Sequence, residues 1–260
     1  MNTIKYSSLL LVLILSGCML DAKAQDALSI LAKMDKIIFS PKDKQGKVTI
    51  VLTDKSGKEK VREATMLQKG RDKKLYRYTK PESQAGIATL SLSNDVMWLY
   101  MPAFEKPKKI SMLAKDQSFT GTDFSYEDMV TTPYSDRYTP TLLSSAGSTY
   151  LLKLIPKSGK SNYSKVFVKI DKTNGYPVTM EFFNRMDKKF KESNYRFEKV
   201  GEYWNAAEVT MMDYEKNHST KILLKDVKFD QGLSDDLFLV EKLVPAEKKK
   251  ESKQAGSSNE

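Results

Sequence analysis

Few residues of this sequence are of the types that carry out chemistry, and their spacing forms no catalytic pattern. The 260 residues include one histidine, His218, and one cysteine, Cys18. A zinc site needs several imidazole or thiolate ligands, so these two residues cannot supply one. Neither a G-x-S-x-G nucleophile motif nor a glycine-rich phosphate loop occurs. We therefore predict no enzymatic activity, no cofactor and no metal.

Three acidic residues, Asp123, Glu127 and Asp128, lie close together in the sequence. They lack the alternating oxygen ligands of an EF-hand calcium loop. Ser125 and Asp128 instead have the spacing of a capping box, and acidic side chains are favoured at the positive end of a helix dipole. We predict a short helix from Ser125 to about Val130, with these carboxylates at its start.

The single cysteine ends a segment typical of a bacterial export signal. A basic start is followed by an apolar run from Leu9 to Leu15 and by Leu15-Ser16-Gly17-Cys18. The run is too short to span a membrane. The last four residues have the pattern of a lipobox, which predicts that residues 1–17 are a signal peptide and that Cys18 becomes the acylated N-terminus. Ordinary cleavage after Ala24 is the alternative.

Either cleavage sends the protein to the bacterial envelope. Acylation predicts a lipid-anchored protein that faces the periplasm, whereas cleavage after Ala24 predicts a soluble periplasmic protein. Met19, which follows Cys18, is not an inner-membrane retention signal of the aspartate type, and this favours the outer membrane.

The chain is basic, with a formal net charge of +10 at pH 7. Short basic runs occur at Lys69–Lys74, Lys106–Lys109, Lys188–Lys191 and Lys248–Lys250. No nucleic-acid-binding motif accompanies them, so we predict no nucleic-acid partner. The runs are either solvated loops or a means of attracting an anionic membrane surface or an acidic partner.

Most of the chain after residue 40 alternates apolar and polar side chains, as half-buried strands do. We predict roughly a dozen strands, and the short connections between them predict antiparallel neighbours. They are expected at Lys47–Thr53, Lys60–Lys69, Lys74–Lys80, Ile87–Ser93, Val96–Met101, Ile110–Leu113, Tyr150–Ile155, Lys165–Asp171, Tyr176–Phe183, Lys189–Phe197, Ala207–Tyr214 and Thr220–Phe229. The fold class is thus mainly β, with one extensive, curved antiparallel sheet.

Helices are predicted to be few. Gln25 to Ser40 has apolar residues at helical spacing and is followed by Pro41. A further helix is expected around Thr139 to Ser145. Residues 244–260 are charged and lack any apolar period, so we predict a disordered tail.

One hairpin allows a prediction of register. If Asn94-Asp95 is a two-residue turn, three pairs of apolar residues share one face of the sheet. The pairs are Leu92 with Met97, Leu90 with Leu99 and Ala88 with Met101. Val168, Met180 and Phe182 extend an apolar face on later strands. With few helices to cover it, this face leaves a cavity for an apolar ligand, or else the helices seal it into an ordinary core.

Three motifs resemble those of a known family. They are Trp98-Leu99-Tyr100-Met101-Pro102, Lys108-Lys109-Ile110 and the run from Phe119 to Asp128. Together they resemble the outer-membrane lipoprotein-sorting family of LolA/LolB-like proteins, and the likeness extends over residues 25–243. It implies an unclosed (half) β-barrel with helices over its concave face and an apolar interior that receives acyl chains. A lipobox at Cys18 makes the chain more like the anchored receptor of that family, or like a third type of anchored relative, than like the soluble carrier.

The resemblance and the apolar face together yield a candidate site for acyl chains. Its predicted lining is Leu90, Leu92, Met97, Leu99, Met101, Val168, Met180 and Phe182. Expected partners are the acyl chains of lipids or lipoproteins and the membrane surface, with an inner-membrane transporter as a further candidate. The alternative is a non-catalytic structural or accessory subunit of an envelope complex, with a filled core.

Overall fold

The computed structural model of the chain describes residues 26–110 and 117–245. The predicted signal peptide, Cys18 and almost all of the charged tail therefore lie outside the described residues. Among the residues that are described, no helix has both the length and the apolar content needed to cross a membrane.

One antiparallel sheet of 13 strands forms the body of the protein. The strands are β1 (Asp43–Thr53), β2 (Glu59–Lys69), β3 (Lys73–Lys80), β4 (Ala88–Leu92), β5 (Val96–Tyr100), β6 (Lys108–Lys109), β7 (Tyr138–Ser144), β8 (Thr149–Pro156), β9 (Lys165–Asp171), β10 (Pro177–Phe183), β11 (Lys189–Val200), β12 (Tyr203–Asp213) and β13 (His218–Phe229). The predicted mainly-β fold with an unclosed sheet is confirmed.

The strand order divides the sheet into two meanders. β1 to β6 follow one another outward in one direction and β13 to β7 in the other, and β1 pairs with β13 at the centre. β6 and β7 are the two edges. Residues far apart in the sequence are therefore neighbours at the centre of the sheet.

Two α-helices accompany the sheet. Helix α1 covers residues 26–38, and α2 is the single turn Tyr134–Arg137. Short 3-10 helices occur at Glu82–Gln84, Pro102–Phe104, Phe119–Gly121, Tyr126–Met129, Asp235–Phe238 and Val240–Leu243. The predicted capping box is present, because the Ser125 hydroxyl accepts from the Asp128 N–H and the Asp128 carboxylate accepts from the Ser125 N–H.

Helix α1 packs its apolar stripe into the main core on the concave side of the sheet. Ala27, Leu31 and Met34 are fully buried there with residues of β8, β9 and β10. The helix approaches the β9–β10 turn so closely that a Cβ atom on Gly175, where φ is +72°, would lie 2.4 Å from Cδ1 of Ile37. The positive φ favours glycine here, and its lack of a side chain permits the close approach of the helix.

One of the predicted elements is wrong. Residues Thr139 to Ser145 do not form a helix, because Thr139 to Ser144 belong to edge strand β7, whose buried and exposed residues alternate from Tyr138 onward. Pro140 is tolerated in that strand because an edge strand has one unpaired side. Of the strand predicted at Ile110–Leu113, only Ile110 is described, and it directly follows β6, Lys108–Lys109. Residues 111–116 lie outside the described residues.

The predicted register of the β4–β5 hairpin is also wrong by one residue. Leu92 pairs with Val96, so the loop has three residues, and both Asn94 and Asp95 adopt φ of 57°. A shift of one residue moves side chains to the opposite face. Leu90 therefore pairs with Trp98 rather than with Leu99.

A second core lies on the outer face of β3, β4 and β5. Leu75, Leu90 and Tyr100 are buried there beneath Phe238 and Leu243 of the C-terminal 3-10 helices. Arg77 fastens this cover, since its guanidinium donates to the carbonyl oxygens of Leu243 (2.9 Å) and Lys242 (2.8 Å). The sheet is thus apolar on both faces near this edge.

Candidate functional site

A segment without regular strands crosses the concave face, and we call residues 117–133 the strap. Its Asp123 carboxylate accepts from the Thr220 hydroxyl at 2.6 Å and lies 2.7 Å from Nδ1 of His218. Lys191 donates to the Asp123 carbonyl oxygen at 2.8 Å. These bonds tie the strap to β11 and β13.

The other two acidic residues of the strap also make structural bonds. Glu127 accepts from the Ser161 hydroxyl (2.6 Å) and from the Asn162 N–H (3.0 Å). Asp128 accepts from the Tyr163 hydroxyl at 2.6 Å. Within the described part of the chain, no group of three His, Cys, Asp or Glu side chains is arranged to hold a metal ion. The acidic group fastens the strap to the sheet.

The single histidine is paired with a carboxylate but not with a nucleophile. His218 contacts Asp123, whereas the hydroxyl of Thr220 bonds to the same carboxylate and not to the imidazole. A Ser-His-acid triad requires the hydroxyl on the other ring nitrogen. The arrangement positions the strap and does not activate a hydroxyl.

A cavity of about 240 Å³ remains between the sheet, helix α1 and the strap. Its floor is formed by side chains of the strands β1, β2, β3, β10, β11, β12 and β13. Its roof includes Ile38 of α1 and Phe124 and Met129 of the strap. The apolar and aromatic floor residues are Val48, Met66, Tyr76, Pro177, Phe182, Tyr195, Phe197, Ala206, Val209, Met211, Ile222 and Leu224.

The cavity is not sealed. Tyr76, Val209, Ile222 and Leu224 face it and keep partial solvent exposure. Apolar side chains in a filled core of this depth would be fully covered, as Val166 and Val168 are at 0% exposure in the neighbouring core. The helix and strap therefore cover only part of the concave apolar face.

One end of the cavity is basic. Lys44, Gln68 and Lys74 lie on three adjacent strands, where Lys44 pairs with Gln68 and Gln68 pairs with Lys74. We call these three residues the cationic row. Burial and, to a lesser extent, repulsion from Lys74 together lower the pKa of Lys44 to about 7. Burial likewise lowers the pKa of Lys74 to about 8.

Of the eight residues predicted to line a cavity, Phe182 does so. Met97, Val168 and Met180 belong to the buried core beside the cavity, each at most 1% exposed. They support the concave side without forming the cavity wall.

The remaining four predicted residues divide between the two faces. Leu99 and Met101 pack against the concave cluster that contains Val48. Leu90 and Leu92 lie in the outer core, where Leu90 pairs with Leu75 on β3 and with Trp98 on β5. These two residues lie on the face opposite the cavity.

Most of the cavity wall was missed at the level of sequence. The alternation in β2, β3, β12 and β13 marks Met66, Tyr76, Val209 and Ile222 as inward-facing. It does not show that these strands share a wall, because the pairing of β1 with β13 leaves no local signal in the sequence.

A comparison with protein families finds one model, described as "-like: Uncharacterized protein", that matches residues 70–244. No curated protein matches the chain.

Several solved structures are similar to this chain. A domain described as an outer membrane lipoprotein-sorting protein from Vibrio parahaemolyticus has 25% identity and a TM-score of 0.79, over 85% of this chain and 100% of the other. A DUF1329 family protein from Desulfovibrio piger has 23% identity and a TM-score of 0.79, over 85% and 99%. A LolA superfamily protein from Nitrosomonas europaea has 24% identity and a TM-score of 0.69, over 82% and 97%.

Proposed function

Because the chain belongs to the outer-membrane lipoprotein-sorting family of LolA/LolB-like proteins, we propose that it is a non-catalytic envelope protein that holds acyl chains of lipids or lipoproteins in its concave cavity. The observation that supports this proposal is the open space of about 240 Å³ with an apolar floor. Each buried methylene contributes about 0.8 kcal/mol, so an acyl chain binds there without polar contacts.

The proposal includes the cellular location. The protein is exported by the segment that precedes the described residues and is anchored through acylated Cys18 to the outer membrane, facing the periplasm. We expect Cys18→Ser to abolish incorporation of an alkyne-labelled fatty acid and to release the protein from membrane fractions. If the chain is instead cleaved after Ala24, Cys18→Ser will change neither the labelling nor the membrane fractionation.

The acyl-binding proposal is tested by blocking the cavity. Val209 and Thr210 are neighbours on β12, and Val209 lines the cavity whereas Thr210 pairs with the exposed Lys221 and Asn194 on the other face. Val209→Trp fills the cavity, and Thr210→Trp adds the same bulk outside. We expect the first variant alone to lose binding of a fluorescent long-chain fatty acid.

Folding is checked in both variants by circular dichroism and thermal melting. Native mass spectrometry of the gently purified wild type should show bound lipid. A clean apo mass, together with no uptake of the fluorescent fatty acid, would refute the carrier proposal and favour the alternative, an accessory subunit of an envelope complex.

A further inference from the structure

We propose that the cavity takes an anionic amphiphile, whose carboxylate or phosphate head group is held by Lys44 and Lys74 with Gln68 between them and whose acyl chain lies over the apolar floor. This inference rests on the proposed function and narrows it to a class of ligand. It concerns the basic end of the cavity, because an uncharged acyl chain has no group that would bind the lysines there.

The first argument is the geometry of the cationic row. Side chains that pair directly across antiparallel strands have Cβ atoms about 5 Å apart. Lys44 pairs with Gln68, and Gln68 pairs with Lys74, so the Cβ atoms of the two lysines lie about 10 Å apart across three strands. Two flexible ammonium groups at this separation can both reach one anion, and the Gln68 amide lies between them.

The second argument is that the lysines lack an internal counter-ion. Within the described residues, neither Lys44 nor Lys74 takes part in an ion pair or a side-chain hydrogen bond. The Nζ atom of Lys44 lies over the ring of Phe229, 5.8 Å from its centroid. Burying cations without a partner is unfavourable. Both pKa values are lowered by this burial. An anion in the cavity supplies the missing partner.

The third argument is the polarity of the wall next to the row. Met66 on β2 and Tyr76 on β3 lie two residues away from Gln68 and Lys74, on the same face of the sheet. Met66 and Tyr76 pair with each other and line the cavity. The charged end thus gives way directly to an apolar surface. The one carboxylate in the cavity wall, Asp128, is already bound by the Ser125 N–H and the Tyr163 hydroxyl. This division matches a ligand with a charged head and a hydrocarbon tail.

The test compares two ligands with the same tail. A fluorescent polyene fatty acid and its methyl ester are titrated at pH 6, where both lysines are protonated and the carboxylate is ionised. Hydrogen bonds to charged groups predict that the acid binds roughly tenfold to a hundredfold more tightly than the ester. Lys44→Met and Lys74→Met should each remove about tenfold of the affinity for the acid without lowering the affinity for the ester.

Lys47→Met is the matched control for the variants. Lys47 is on the same strand as Lys44, has a side chain that is 75% exposed, and pairs with Asp226 on the surface. The substitution changes the net charge equally but leaves the cavity intact, so the affinity for the acid should not change. Melting curves confirm that every variant is folded.

Each outcome separates the two proposals. Equal binding of acid and ester in every variant overturns the head-group site and leaves the acyl cavity standing, whereas no binding of either ligand overturns both. Inorganic phosphate alone provides a further arm. Saturable binding of phosphate that the fatty acid does not displace would assign the row to a free anion and overturn the amphiphile. Lysophosphatidic acid in place of the fatty acid distinguishes a phosphate from a carboxylate head group.

Discussion

Replacing Lys44 by methionine is expected to stabilise the protein at pH 6, and the gain should shrink as the pH rises. Lys44 is a half-buried cation whose pKa falls from its ordinary 10.5 to about 7, first because of burial and then because of repulsion from Lys74. Methionine has a similar length and no charge, so it removes the unfavourable burial. A residue retained for ligand binding often costs stability in this way.

The sign and size of the effect follow from proton linkage. Between pH 7 and 10.5 the unfolded chain keeps the Lys44 proton whereas the folded protein has lost it. Wild-type stability therefore rises through this window, by at most about 1.4 kcal/mol per pH unit. Partial exposure reduces this figure. We expect the advantage of Lys44→Met in free energy of unfolding to fall by about 1–2.5 kcal/mol between pH 7 and pH 9.

Other titrating groups also line the cavity, and the comparison must cancel their contributions. They are Lys74, Asp128, Tyr76, Tyr134, Tyr176 and Tyr195. Burial raises the pKa of each of these tyrosines, so they stay protonated in this window. Taking the difference between wild type and variant at each pH removes what the two proteins share.

Urea denaturation followed by circular dichroism at pH 6, 7, 8 and 9 measures this difference. Lys47→Met serves as the control, since Asp226 raises the pKa of Lys47 and leaves it protonated in both states across the window. Its difference from the wild type should not vary with pH. A constant gap between wild type and Lys44→Met across the four pH values would refute the assignment of Lys44 as an uncompensated buried cation.

Two further substitutions test the packing around the sheet. Phe238→Ala removes a side chain of the outer core that is only 3% exposed, and it should cost about 3–5 kcal/mol of unfolding free energy. Leu239→Ala, at 46% exposure, is the control and should cost under about 1 kcal/mol. Similar losses in the two variants would contradict the outer core. Asp43→Ala removes the carboxylate that accepts from the N–H groups of residues 231–233 at 2.7 to 2.9 Å. In chemical denaturation it should cost about 2–4 kcal/mol of unfolding free energy, and Asp43→Asn should cost an intermediate amount. An alanine variant as stable as the wild type would contradict this anchor.

Local pattern was sufficient wherever a residue and its near neighbours determine the structure. Strand β9 has the predicted bounds Lys165–Asp171, and the capping box of Ser125 and Asp128 forms as its spacing indicates. Helix α1 buries the stripe that its period predicts. The mainly-β fold and the family were likewise readable from the chain, because alternation and motifs are properties of short segments.

Tertiary structure alone decided which face and which neighbours each strand has. Asn94 and Asp95 adopt positive φ in a three-residue β4–β5 loop, and the resulting register puts Leu90 and Leu99 on opposite faces of the sheet. Phe238 covers the outer face from a segment far along the chain. No pattern of apolar residues signals either choice.

The candidate site shows the same division most clearly. The alternation of apolar and polar residues within β2 and within β13 predicts that Met66 and Ile222 face inward. They share a cavity only because β1 pairs with both β2 and β13. Lys44 and Lys74 are 30 positions apart and look like ordinary surface lysines in the sequence. Strand pairing brings them to one cavity wall, since register across a sheet is a non-local property that sequence spacing does not encode.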